Sequence, residues 1–181
     1  MRIPFNDDNT PKGVEGWTEI KYDTLVVFAN PTSNKFDWFV DFLAFPVPTE
    51  WLNWKLGLCH VGFKSYTYWL TGVIYKILSD NVNVTKVTIA GYSMGGGIAQ
   101  LTAVICNSWI CGVDFKVLSI DGPRTTTVLP KGKLVRNKHS LVADIPPWFK
   151  KLPETVLSTK KRPFWKAHAD YDIERILQDE Y

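Results

Sequence analysis

The chain has 181 residues, 21 of them Lys or Arg against 18 Asp or Glu. This length fits one domain with a sizeable core, and the near-balanced charge argues against a nucleic-acid partner. The opening MRIPFNDDNT lacks an apolar leader and no run of 18 apolar residues exists, so a cytoplasmic chain without a membrane span is expected.

Residues 1–16 contain Pro4, Pro11, Gly13 and Gly16 and read as an N-terminal arm, with a single domain over 17–181. Trp17–Lys21 predicts an edge strand and Tyr22-Asp23 a turn. Thr24–Ala29 is an unbroken β-branched and aromatic run, the pattern of a strand buried on both faces. It ends in Asn30-Pro31-Thr32-Ser33-Asn34. A loop leaving the C-terminal end of a central strand is a favoured site position in an α/β sheet. Phe36–Leu58 is dense in Phe, Trp and Leu, and Pro46 and Pro48 prevent one continuous helix. It reads either as ordinary core or as an apolar cover near the site. Tyr68, Leu70, Val73, Ile74, Ile77 and Leu78 then give Lys64–Asp80 a helical stripe.

Lys86–Val104 is the stretch around which the rest is arranged. Val87, Ile89 and Ala90 form the end of a buried strand, Gly91-Tyr92-Ser93-Met94-Gly95 is a G-x-S-x-G turn, and helical spacing runs on to about Cys106. Strand, tight turn and helix are the context a nucleophile elbow requires. The sharp turn strains the serine backbone, and a Cβ at Gly91 or Gly95 would collide with it. Ser93 then stands at a helix N-terminus, where free N–H groups and the positive dipole end favour a developing anion.

Phe115–Ile120 is the next predicted strand, ended by Asp121-Gly122-Pro123-Arg124. Leu134–Lys138 is another, followed by Ala143-Asp144-Ile145-Pro146-Pro147. A segment over 150–166 carries six basic residues against Glu154 alone, and Asp170–Gln178 closes the chain as an amphipathic helix. Strands alternating with helices predict an α/β fold, a mostly parallel sheet with helices on both faces. The three cysteines, Cys59, Cys106 and Cys111, lack metal-site spacing and suit a reducing compartment.

An activated serine needs a base, and the base needs an orienting acid. The histidines are His60, His139 and His168. In α/β-hydrolases the order is Ser, then the acid, then His. This favours His168, with His139 as runner-up and His60 in the wrong order. Asp144 and Asp121 are the candidate acids, and each follows a predicted strand.

Several short pieces together resemble the class 3 lipase family of α/β-hydrolases. Gly91-Tyr92-Ser93-Met94-Gly95-Gly96 is similar to its Gly-His-Ser-Leu-Gly-Gly elbow. Val26-Val27-Phe28 through Thr32, with Asp37-Trp38, resembles its strand, oxyanion loop and lid-side tryptophan. His60-Val61-Gly62-Phe63 resembles its His-x-Gly-Phe, Gly122-Pro123-Arg124 its Ser-Pro-Arg, and Asp144-Ile145-Pro146 its Asp-x-Val-Pro. His168 stands where the family has its histidine. The chain departs from the family at Phe28-Ala29-Asn30-Pro31-Thr32, in place of Phe-Arg-Gly-Thr, and at Asp121, where Gly is usual.

The resemblance implies an α/β-hydrolase fold and a serine hydrolase acting on carboxylic esters of lipids through Ser93, His168 and Asp144, with Asp121 the alternative acid. It implies an oxyanion hole from the N–H groups of Met94 and Thr32, with Ser33 the alternative to Thr32. Trp38, Trp51 and Trp54 would line the acyl chain, and no metal or cofactor is implied. The expected partners are the lipid or ester itself and a membrane surface touched by the basic segment. A small-ester or thioester hydrolase, and a degenerate hydrolase kept as a binding module, are the competing readings.

Overall fold

The structure is a computed structural model that describes residues 1–5, 15–30, 46–51, 54–157 and 171–178. Its strands are β1 (Ile3–Phe5), β2 (Glu15–Lys21), β3 (Thr24–Asn30), β4 (Pro46–Trp51), β5 (Trp54–His60), β6 (Lys86–Tyr92), β7 (Asp114–Ile120), β8 (Gly132–Asn137) and β9 (Glu154–Leu157). The helices are α1 (Lys64–Asp80), α2 (Met94–Trp109) and α3 (Ile173–Gln178). One sheet has the order β1-β2-β3-β6-β7-β8-β9, and β4 and β5 form a separate hairpin. β1, β2 and β3 pair antiparallel, and every pairing from β3 to β9 is parallel.

The two faces of the sheet follow from strand alternation. In β3, Leu25, Val27 and Ala29 enter one core with Val87, Ile89, Phe115 and Val117, under α1 and α2. Phe28 points the other way. It joins Ala90, Leu118, Ile120, Val135 and Leu177, so the short α3 covers the second face. Helices therefore lie on both faces, as expected, though unequally.

The expected arm contributes an edge strand instead. Ile3–Phe5 pairs with Gly16–Thr18, and the Phe5 ring meets Trp69 edge-on at 5.3 Å. That pairing covers Gly16–Thr18 and takes that part of β2 off the edge, with Gly16 inside the strand. Part of the aromatic stretch is the β4–β5 hairpin. It docks through His60 N–H to Thr125 O (2.9 Å) and Thr127 N–H to Leu58 O (3.0 Å). Prolines suit such a two-stranded edge because it leaves backbone groups outside the ladder. Val47 and Leu56 pack against the first core, Cys59 is buried and Leu58 is exposed.

Candidate active site

The turn after β6 has the geometry its glycines predict. Ser93 has φ 53° and ψ −122°, strained for a residue with a side chain. A Cβ on Gly91 would lie 2.1 Å from Gly95 O, and one on Gly95 2.1 Å from Ala29 O. Both contacts are backbone and cannot yield cheaply. The Ser93 N–H is tied to Ile120 O at 2.9 Å, and Ser93 O accepts the Gly96 N–H at 2.9 Å. Ser93 is thus the cap of α2, whose first N–H groups have no partner within the helix itself. The end of β3 lies against the same turn, at Ala29. Thr32, Ser33 and Trp38 are outside the described residues, as are the side chains of Trp51 and Trp54.

The two candidate acids stand in different electrostatic settings. Asp144 ends a 3-10 turn over Val142–Asp144. Its Oδ1 accepts from Lys151 Nζ at 2.8 Å and Arg124 Nη2 at 3.3 Å, and its Oδ2 from Arg136 Nη1. Burial alone would raise its pKa, but Lys151 and Arg136 outweigh that and hold it at about 2. Glu154 joins through Lys151 at 2.6 Å. Arg124 also donates to the carbonyls of Ala143 (3.3 Å) and Pro147 (3.4 Å). The Gly122-Pro123-Arg124 turn therefore fastens the loop after β8, and Asp144 is one of its anchors.

Asp121 directly follows Ile120, the residue that receives the Ser93 N–H, and is fully buried. Its φ is 47°, a left-handed conformation that Asp tolerates better than most residues. Ser140 Oγ donates to its Oδ2, and the Tyr171 hydroxyl also hydrogen-bonds to its carboxylate. Burial, then the Asp121 charge, pushes the Tyr92 hydroxyl up to about 12, and the same two causes lead the upward shift of Tyr171. Both phenols are therefore neutral donors at ordinary pH. The two rings sit 5.7 Å apart.

His168 lies outside the described residues. His139 is half-buried in the turn after β8. His60 is buried and its Nδ1 accepts the Gly62 N–H at 3.2 Å, a capping task. Of the basic segment, Lys151 is spent on Asp144 and Glu154, and residues 158–166 are outside the described residues. A recess lined by Lys21, Tyr22, Lys86 and Lys116 lies where the parallel strands begin, at the end of the sheet opposite Ser93. No helix among the described residues is long and apolar enough to cross a membrane.

The sequence pattern of Lipase (class 3) matches residues 26–128, from β3 past the elbow to the segment that holds the hairpin. The chain belongs to the class 3 lipase family. Solved lipases share the fold at low identity. The lipase of Rhizopus microsporus var. chinensis superposes with a TM-score of 0.65 at 17% identity, covering 87% of this chain and 61% of that one. Lipase II of Rhizopus niveus gives 0.67 at 17%, covering 87% and 66%. Lip2 lipase of Yarrowia lipolytica gives 0.70 at 13%, covering 87% and 67%. This class 3 lipase chain thus spans about two thirds or less of the first three solved lipases it matches, 61%, 64% and 66% of their lengths. No curated protein matches it.

The residues around Asp121 escape sequence reasoning. Ser140 and Tyr171 carry no motif of their own, and only the sheet brings them together. One signal was available, an aspartate where the family usually has glycine.

Proposed function

We propose that this class 3 lipase chain hydrolyses carboxylic esters of lipids, acylglycerols or phospholipids, through an acyl-enzyme on Ser93. One observation carries the reading: Ser93 stands strained at the start of α2, one hydrogen bond from the strand end that presents a buried carboxylate. Ser93 Oγ attacks the ester carbonyl while His168 takes its proton, and the proton passes to the leaving alcohol. Water, activated by the same histidine, then releases the acid. The N–H of Met94 and that of Thr32 receive the oxyanion.

Asp121 rather than Asp144 is proposed as the acid that orients His168. Three cations already claim Asp144, so its charge is spent on the loop. Asp121 is buried beside the elbow strand and is fixed by hydroxyls, which orient a carboxylate without neutralising it.

Lipid contact is proposed through the loops at the Ser93 edge of the sheet. The test is a panel of acylglycerols, phospholipids and a short soluble ester, wild type beside Ser93→Ala, with a fluorophosphonate to label the nucleophile. Labelling at Ser93 with turnover of the lipids is expected. An unlabelled wild type would leave a degenerate binding module, and turnover of the short ester alone would leave a small-ester hydrolase.

A further inference from the structure

We infer that Ser140 and Tyr171 are positioning residues for the acid: their hydroxyls hold Asp121 in one orientation. This rests on the proposed Ser93–His168–Asp121 triad and assigns two residues beyond it.

Burying a carboxylate is costly unless donors replace its water, and donors on one oxygen leave the other directed. Asp121 is buried and follows β7, while Ser140 reaches its Oδ2 from the turn after β8. The Tyr171 hydroxyl reaches the same carboxylate from the segment before α3. The phenol oxygen is itself fixed, because it accepts the Asn137 N–H at 2.6 Å. Since that oxygen already accepts from backbone, its single proton goes to Asp121. Three chain segments, ending β7, following β8 and preceding α3, thus converge on one carboxylate. Among the described residues, Tyr92 from β6, Tyr171, and Arg136 from β8 feel its charge.

A positioning role makes a statement about the histidine, because an aligned carboxylate stabilises imidazolium and holds its titration at higher pH. The experiment is the pH profile of kcat/KM on a soluble ester for wild type, Tyr171→Phe, Ser140→Ala, the double variant and Asp121→Asn, each checked for folding by circular dichroism. Tyr171→Phe keeps the ring and removes only the hydroxyl. Each single variant should lower kcat by about 10- to 100-fold, the scale of one hydrogen bond to a charged group. The acid limb should move to lower pH, toward its position in Asp121→Asn, and the double variant should move it further. An acid limb unmoved in both folded single variants, or moved to higher pH, overturns the inference. Fluorophosphonate labelling of Ser93 separates the two levels. Labelling with an unmoved limb sinks only the positioning role, whereas no labelling in the wild type sinks the serine-hydrolase reading beneath it.

Discussion

Asp121 and Asp144 are one residue type in two settings, and the settings predict opposite phenotypes. Asp121→Asn should lower kcat by about 10⁴-fold, the cost of a wrong histidine tautomer, with the fold retained. Asp144→Asn should stay within a few-fold of wild-type activity and lose stability instead. The loss has a definite pH signature. Lys151 and Arg136 overcome the effect of burial and hold the Asp144 carboxyl at about 2, below its ordinary 3.8. A depressed pKa stabilises the folded state above the unfolded value, and that stability is lost as pH falls from about 4 toward 2. Its side chain is 35% exposed, so solvent screening leaves about 1 kcal/mol of the shift. Urea unfolding of wild type and Asp144→Asn should differ by that much at pH 7 and converge near pH 2. If Asp144→Asn is the catalytically dead variant and Asp121→Asn is nearly silent, the acid is Asp144. Ser93→Ala should cost about 10⁶-fold, as loss of a nucleophile from a concerted triad does.

At the scale of elements, legibility tracks how local the deciding contact is. The apolar stripe predicts a helix over Lys64–Asp80, and the observed helix has those bounds because its buried Leu70 and Ile74 belong to that stripe. The elbow was equally legible, since its glycines answer to backbone collisions within a few residues and with β3. β1 was not, because three residues including Pro4 show no period and are held only by register with β2. The hairpin hid in an aromatic stretch whose composition does not separate core from cover. The sequence favours Asp144 because the Asp-Ile-Pro resemblance is local, while the Ser140 and Tyr171 contacts of Asp121 are tertiary and show in no motif. Those contacts permit a sharper test. Ser140 Oγ and the Asp121 carboxylate meet at one point from neighbouring strand ends. Glycine also suits the φ of 47° at position 121. The pair Asp121→Gly with Ser140→Asp should therefore recover part of the kcat lost in Asp121→Gly alone, because the carboxylate returns to the same point from the next strand. No recovery in a folded double variant would show that the acid works only from the end of β7.

For the whole molecule, the polarity of the sheet decides which surface can meet a lipid. Parallel strands present the ends of β3, β6, β7 and β8 to one edge, and Ser93 lies there. The loop leaving β8 at that edge exposes Leu141 at 57%, Ile145 at 38% and Trp148 at 52%. Arg124 holds this loop from beneath through its carbonyls and Asp144, so the apolar side chains stand out from a braced backbone. A rigid loop loses little conformational entropy when it inserts, and a tryptophan suits the boundary between headgroups and acyl chains. Trp148→Ala should therefore reduce turnover of esters in lipid aggregates several-fold while leaving a short soluble ester nearly unaffected. The variant should fold normally, since Phe149, not Trp148, is the buried ring of the pair. Activity on monomeric esters of rising chain length, compared with activity on vesicles, checks the assignment. Equal losses on soluble and aggregated substrates would mean that Trp148 acts inside the active site rather than at the interface.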